Sequence, residues 1–322
     1  MDLSFAGGFT VFGDQYSHLP FDVIYAADNL ADAVETYRLN VGDQIHQLDL
    51  TTVGPDEMPS GDVLLGGFPC QDFSSSGTKE GLSGTRGQLY QVLVDYMAVH
   101  RPKIVVAENV PHLARLRRGA YLSAILADFE AQGYDFDVWS LYAPDFGLPQ
   151  SRRRLFLVGV RTDLPGFPEP PRPTHTSRHV PIDVALADLE DVVDESVPNQ
   201  SQYFRASKAS AGGGQGDHAN EVGRVAYCIR ANARGRIQFH HRLPRRLTVR
   251  ECARLQSFPD EFVFPFTTQR NLTLIGNAVP PLLGHHVARQ IAAFLEDVDG
   301  ATSRRDVPLA HARQGALFEL AS

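Results

Sequence analysis

Apolar residues follow two alternating patterns along the first half of the chain. Short apolar runs alternate with longer stretches in which apolar residues recur at helical spacing. This alternation is typical of a parallel sheet with helices on both faces. We therefore expect residues 1–164 to form an α/β domain with a doubly wound, mostly parallel sheet. The predicted strands are residues 22–27, 63–66, 104–107, 137–141 and 155–160, and the predicted helices are residues 31–39, 89–100 and 120–132.

The pattern changes after residue 164. Six prolines lie within residues 165–181, and a glycine-rich run follows at residues 211–216. Such composition is typical of loops and domain boundaries. Helical spacing returns at residues 248–256 and again at residues 272–295. These features predict a smaller, loop-rich domain over residues 165–271, a return to the first domain over residues 272–300, and a C-terminal tail without core residues over residues 301–322.

Composition narrows the class of protein. Of the 322 residues, 43% are hydrophobic and 21% are charged, as in ordinary globular enzymes. No apolar stretch reaches the roughly 18 residues that a membrane span needs, and Asp2 stands where a signal peptide carries positive charge. A cytoplasmic protein without a membrane partner is expected. The three cysteines are too few and too scattered for a disulfide framework, and their spacing indicates no metal site: Cys70, Cys228 and Cys252.

Charge is distributed unevenly. The formal net charge of −8 speaks against a nucleic-acid partner, because phosphate binding requires basic surface. Residues 224–254, however, contain nine arginines and one acid, Glu251. This segment predicts a basic face on an acidic protein. The alternative is a solvated arginine-rich surface without a partner.

Residues that could bind a ligand or take part in catalysis directly follow several predicted strands. In doubly wound sheets, ligands bind at these carboxyl ends of the strands. Phe5-Ala6-Gly7-Gly8 is a candidate cofactor loop, although glycine pairs also form simple turns. Asp28 follows the strand at residues 22–27, where a carboxylate binds ribose hydroxyls or caps a helix. In the polar loop after residues 63–66, Pro69 restricts the backbone before Cys70. The loop favours a nucleophilic Cys70 over a buried, packing cysteine.

Two further strand ends carry charged groups. Glu108-Asn109-Val110 follows residues 104–107, and a carboxyl group there is suited to donating a proton near neutral pH or to capping a helix. The segment Gln150-Ser151-Arg152-Arg153-Arg154 leads into the strand at residues 155–160. Alternation in an extended segment places Arg152 and Arg154 on one side, although a basic strand edge would have the same sequence.

These motifs follow one another along the chain in an order that resembles that of the DNA cytosine-5 methyltransferase family. Single blocks of this size occur by chance, but six in family order across most of the chain do not. The blocks are Phe5–Gly8; Pro69-Cys70-Gln71; Glu108-Asn109-Val110; Gln150-x-Arg152-x-Arg154; residues 246–254 with Phe258-Pro259-Asp260; and Gly276-Asn277-Ala278-Val279-Pro280.

The resemblance implies a role for each matched residue. Cys70 corresponds to the nucleophile, Glu108 to the acid at the N3 edge of the base, and Arg152 and Arg154 to the arginines around a flipped cytosine. S-adenosylmethionine is the implied cofactor, leaving as S-adenosylhomocysteine. The cofactor residues implied are Phe5, Ala6, Gly7, Gly8, Asp28, Asn29, Asp49, Leu50, Pro69, Leu89, Asn277 and Ala278.

Double-stranded DNA is the partner that the resemblance implies. A loop over residues 74–87 corresponds to the one that closes on DNA, with Ser74 and Ser76 as contacts. We expect Arg230, Arg234 and Arg236 to read base edges, and Arg245 and Arg246 to be backbone or structural groups. A monomer is expected, together with a cognate restriction endonuclease that acts on the same site without direct contact.

Three features depart from the family pattern. The first loop lacks a glycine and its neighbour, Asn29 stands where relatives place an apolar side chain, and Cys228-Ile229 replaces a Thr-Leu or Thr-Val pair. Other functions fit less well. A nicotinamide-dependent dehydrogenase has no use for the Cys70, Glu108 and Arg152 motifs together, and a tRNA cytosine-5 methyltransferase would carry a Cys-Phe-Thr tripeptide. The intact Cys70 and Glu108 disfavour a catalytically silent DNA-binding relative.

Overall fold

The computed structural model of the protein describes residues 1–68, 89–189, 218–231, 238–303 and 315–321. The helices are α1 (Asp2–Ala6), α2 (Ala31–Asn40), α3 (Leu89–His100), α4 (Ala120–Glu130), α5 (Ile182–Ala185), α6 (Val249–Leu255), α7 (Thr268–Asn277) and α8 (Pro281–Ser303). The strands are β1 (Phe9–Val11), β2 (Asp14–Tyr16), β3 (Phe21–Asp28), β4 (Ile45–Gln47), β5 (Val63–Gly67), β6 (Ile104–Asn109), β7 (Tyr134–Tyr142), β8 (Gln150–Ser151), β9 (Arg153–Arg161), β10 (His218–Ala219), β11 (Ala226–Tyr227), β12 (Gln238–Phe239) and β13 (Gly315–Ala321).

Seven strands form the central sheet in the order β4-β3-β13-β5-β6-β9-β7. The pairs from β4 to β6 are all parallel. Strand β9 runs antiparallel to both β6 and β7. The sheet is thus mixed, with a parallel majority, and the predicted fold class is confirmed.

Two hydrophobic cores cover the two faces of this sheet. Successive residues of a strand point to opposite faces. Accordingly, Val63 and Leu65 of β5 belong to the core beneath α1 and α8, whereas Leu64 belongs to the core beneath α3 and α4. Because helices bury both faces, β5 and β6 are apolar at nearly every position. The architecture directs the carboxyl ends of β3, β5 and β6 toward one edge.

A third core is formed by residues that follow β9 in the sequence, from Ile182 to Ile275. It includes buried residues of α5, α6 and α7. Helix α6 begins with a reciprocal cap, in which Thr248 accepts a hydrogen bond from the Glu251 N–H and the Glu251 carboxylate accepts one from the Thr248 N–H. The cap confirms the predicted start of this helix.

The predicted strands and helices of the first half all occur, with bounds shifted by a few residues. The helical spacing predicted at residues 272–295 also occurs, in two helices that the extended backbone at Ala278 and the following prolines separate. One expectation is wrong: the tail predicted to be without core residues contains β13, which lies in the middle of the sheet. No helix in the described ranges combines the length and apolar character that a membrane span needs.

Candidate active site

A cavity of about 1050 Å³ opens at the carboxyl ends of the parallel strands. Its walls include Asp28 at the end of β3, Phe68 after β5 and Glu108 near the end of β6. Residues from the third core region close the other side, among them Arg230 and Gly276. The cavity thus lies where doubly wound sheets bind ligands and where two regions of the chain meet.

Glu108 and Arg154 form an ion pair on the cavity wall. The Nε of Arg154 lies 2.6 Å from Oε1 of Glu108, and the two side chains are 11% and 14% exposed. They come from neighbouring antiparallel strands, β6 and β9. The pair retains some access to solvent, so a ligand in the cavity can reach the carboxylate. The structure therefore brings together two of the four predicted catalytic residues.

Arg152 is fully enclosed and bonded to the backbone. Its guanidinium donates to the carbonyl oxygens of Ile229, Gly276 and Ala278 at 2.8, 2.9 and 3.0 Å. Burial, with the nearby positive charge of Arg154, lowers the pKa of Arg152 to about 10, so the side chain stays charged at neutral pH. This geometry suits a residue that connects three segments around the cavity.

The alternation predicted for residues 152–154 occurs. Arg152 and Arg154 are the less exposed side chains, while Arg153 is exposed and lies over the ring of Tyr142. The two inward guanidinium groups nevertheless engage different partners, because Arg152 bonds to backbone carbonyls and Arg154 pairs with Glu108. The Nε atoms of both Arg152 and Arg154 are buried without a hydrogen-bond partner among the described residues, although the Nε of Arg154 keeps its ion-pair contact with Glu108.

Three amide side chains position the site, and the sequence motifs gave them no role. Asn109 donates to the carbonyl oxygen of Phe68 at 2.8 Å, which joins the end of β6 to the backbone two residues before Cys70. Gln150 donates to the Leu255 carbonyl at 2.8 Å and accepts from the Ile229 N–H at 3.1 Å. Gln256, which Gln150 also contacts, donates to the Ala278 carbonyl at 2.8 Å. For Asn109 and Gln150, the position inside a matched motif was the available signal, whereas Gln256 lies between two matched segments.

Gly276 allows two backbone segments to approach closely. A Cβ atom at this position would come within 2.2 Å of the backbone N of Ala231. The neighbouring Gly276 carbonyl accepts from Arg152. Glycine here therefore permits the packing that places Arg230 at the cavity.

Five of the predicted cofactor residues line the cavity. They are Asp28, Asn29, Leu89, Asn277 and Ala278. Asp49 and Leu50 are not among the lining residues. The Asp49 carboxylate is exposed and accepts hydrogen bonds from the hydroxyl and N–H of Thr51, which lower its pKa. Leu50 packs in the core beneath α3 and α4.

The segment Phe5–Gly8, predicted as a cofactor loop, forms the end of α1 and the turn after it, and it is not among the residues that line the cavity. Phe5 is fully buried in α1 and packs on Phe21, with ring centroids 5.3 Å apart. Gly7 ends the helix at φ +68°, where a Cβ would meet the Ser17 carbonyl oxygen at 2.2 Å. Ala6 and Gly8 do not line the cavity either. From this end of the chain, only residues 1–4 are among the lining residues. The glycines serve the turn after α1.

The arginine-rich segment is less basic at its surface than its sequence suggests. Arg245 is buried and pairs with Glu251 at 2.8 Å through both terminal nitrogens, which confirms its predicted structural role. Arg254 pairs with Asp188 and Asp260. Arg230 is exposed at the cavity edge. Six predicted site residues lie outside the described residues: Pro69, Cys70, Ser74, Ser76, Arg234 and Arg236.

Comparison with known proteins identifies the family. The model of the C-5 cytosine-specific DNA methylases matches residues 3–209 and 190–293. The chain belongs to this family. It is therefore a DNA (cytosine-5-)-methyltransferase, and the resemblance inferred from the motifs is confirmed.

Relatives of this methyltransferase cover most of its length. The Type II methyltransferase M.NgoFVII of Neisseria gonorrhoeae is 32% identical over 92% of this chain and 84% of its own. M.MthTI of Methanothermobacter thermautotrophicus is 30% identical over 86% of this chain and 92% of its own. An Escherichia coli prophage protein described as a DNA modification methyltransferase superposes with a TM-score of 0.67 at 23% identity, over 86% of this chain and 93% of its own. That likeness supports the fold.

Proposed function

We propose that this enzyme methylates C5 of one cytosine in a specific duplex DNA sequence, as the modification enzyme of a Type II restriction-modification system. The observation that carries the proposal is the Glu108–Arg154 ion pair inside the cavity at the strand ends. An acid held by an arginine suits the N3 and O2 edge of cytosine. The Type II names of the full-length relatives support the biological context.

The cavity suits S-adenosylmethionine beside a base. Asp28 presents a carboxylate for ribose hydroxyls, and Asn29 and Asn277 offer amide groups nearby. The volume of about 1050 Å³ is large for one small ligand, which fits a cofactor and a base together. When bound, S-adenosylmethionine supplies an electrophilic methyl group. Asp28, Asn29, Leu89, Asn277 and Ala278 are the residues we propose to hold it.

The protein's own groups make the base reactive. C5 of cytosine is too weak a nucleophile to take a methyl group unaided, so we propose that the Cys70 thiolate adds to C6. Glu108 shares a proton with N3 and offsets the charge that develops in the ring. Once C5 carries the methyl group, loss of its proton and expulsion of Cys70 restore the aromatic ring. Cys70 is thereby regenerated as the thiolate.

We propose separate tasks for Arg154 and Arg152. Arg154, which lines the cavity and pairs with Glu108, orients that acid and contacts O2 of the base. Arg152 is a positioning residue, because its terminal nitrogens donate to the backbone at Ile229, Gly276 and Ala278.

Access to C6 requires that the cytosine leave the duplex, since stacking covers both ring faces. Flipping costs a few kcal/mol, which contacts in the cavity offset. We propose that residues 74–87, with Ser74 and Ser76, close on the DNA, and that the region of residues 165–271 determines the sequence recognised. Arg230 at the cavity edge, with Arg234 and Arg236, is assigned to base edges.

Sequencing that distinguishes methylated cytosines tests the proposal. DNA from cells expressing the enzyme should carry 5-methylcytosine at one short sequence, and DNA from cells expressing Cys70→Ser should carry none. The variant should still bind S-adenosylhomocysteine and DNA in vitro. Methylation at an exocyclic amino group, or methylation that persists in Cys70→Ser, would contradict the proposed chemistry.

A further inference from the structure

The strand β13 occupies the central gap of the sheet next to the cofactor side of the cavity. Its backbone runs parallel to β3 on one side and β5 on the other. Leu320 is level with Ala27 and Gly66, and Ala321 is level with Asp28. The end of β13 therefore lies beside the ends of β3 and β5, which line the cavity.

The position of β13 in the sequence is unusual for an element of this site. The family match ends at residue 293, so β13 lies beyond it. The first described element, α1, is a helix, and its opening residues 1–4 line the same cavity. In space, the last strand and the first helix therefore lie side by side at one end of the cavity.

Removal of β13 would leave a gap between two buried strands. Neighbouring strands lie about 4.8 Å apart, so β3 and β5 would face each other across roughly 10 Å. Their backbone N–H and C=O groups along this gap would lose their partners, which is costly in a buried sheet. Asp28 and Gly67, which end these two flanking strands and line the cavity, would lose the strand that holds them in place.

We propose that residues 315–321 form part of the cofactor subsite, so that docking of this strand and binding of an adenosyl cofactor stabilise each other. The inference rests on the proposed use of S-adenosylmethionine. It follows from linkage, since a ligand that binds only the completed sheet must favour the docked strand. The apolar sequence Ala316-Leu317-Phe318 followed by Leu320-Ala321 is suited to a strand buried in a sheet interior.

Hydrogen exchange of the full chain tests the docking directly. Amides of residues 315–321 should exchange as slowly as those of β5, and S-adenosylhomocysteine should slow both further. Exchange of residues 315–321 at the rate of an unstructured peptide, with β5 protected, would overturn the proposal.

A matched pair of substitutions tests the effect on binding. Leu320→Pro removes a backbone donor that any central strand position uses, whereas Leu320→Val retains it. The proline variant should bind S-adenosylhomocysteine at least about tenfold more weakly in calorimetry and lose protection in β3 and β5, while the valine variant should resemble the parent. Unchanged affinity in Leu320→Pro would refute the coupling.

The outcomes separate this inference from the proposed reaction. A parent enzyme that binds S-adenosylhomocysteine but methylates no cytosine would contradict the proposed function and leave the role of β13 standing. A fully active Leu320→Pro variant would contradict the role of β13 and leave the proposed function standing. If Leu320→Pro does not fold, the exchange pattern of the parent decides.

Discussion

Two arginine–glutamate pairs in this protein have the same chemistry and different surroundings. Glu108 and Arg154 meet through one 2.6 Å contact at the cavity and are both partly exposed. Glu251 and Arg245 meet through two 2.8 Å bonds and are 1% and 5% exposed. Glu251 also accepts from the Thr248 N–H, and its Oε1 lies 3.5 Å from His240 Nε2.

The difference indicates which pair can act on a ligand. Every oxygen of Glu251 is engaged within the protein, so its carboxylate has nothing left to offer a substrate. The Glu108 carboxylate lies on the wall of a cavity and holds a single arginine contact among those described. Complete internal bonding marks a structural pair, and incomplete bonding beside a cavity marks a chemical one.

The same substitution in the two pairs should separate activity from stability. Glu108→Gln keeps the shape of the side chain and removes its proton-donating acid, so methyl transfer should fall by about 10²–10⁴-fold. The loss in free energy of unfolding should be smaller than for the Glu251–Arg245 pair, because solvent reaches 11% and 14% of the Arg154 and Glu108 side chains. Single-turnover rates and denaturant titration measure the two quantities. Activity within a few-fold of the parent would remove Glu108 from the chemistry.

Glu251→Gln should have the opposite effect. It leaves Arg245 charged and buried without its partner, and breaking such a pair costs about 3–5 kcal/mol of folding stability. Below the unfolding transition, the rate per folded molecule should remain near that of the parent. Denaturant titration, with Glu108→Gln as the matched control, gives the comparison. Equal stability losses in the two variants would contradict the distinction between the pairs.

The parallel strands and the position of Glu108 could be predicted from the sequence, whereas the burial of Arg245 could hardly be. Buried strands such as β5 and β6 are apolar throughout, so their positions were clear from local pattern. The Glu108 motif directly follows such a strand, and its place at the cavity could be predicted. The burial of Arg245 is set by contacts with α6, and only its proximity to a helix cap hinted at it.

Other features depended on contacts between distant segments. Phe5 was expected beside a cofactor because it matches a family motif, and in the structure it packs on Phe21 in the core. The backbone partners of Arg152 lie 77 to 126 residues away along the chain. Strand β13 pairs with segments near the start of the chain, which no local pattern can indicate.

A smaller effect is expected at the cavity edge. Arg230→Ala should relax the preferred DNA sequence at one position by about 1–3 kcal/mol, because base-edge contacts carry that much discrimination. Arg224→Ala is the control, since Arg224 is an exposed arginine that pairs with Glu221 and does not line this cavity. Methylation of a randomised duplex library measures both variants. Uniform loss of activity in Arg230→Ala, without altered preference, would assign this residue to phosphate contact instead.

Covalent trapping tests the central claim most directly. Duplex DNA with 5-fluorocytosine at the target position should hold the enzyme as an adduct in the presence of S-adenosylmethionine, because fluorine at C5 cannot leave as a proton. A denaturing gel should show a slower band for the parent enzyme and none for Cys70→Ser, and peptide mass analysis should place the bond at Cys70. Methylation of the unmodified duplex without any such adduct, or an adduct that persists in Cys70→Ser, would contradict the account.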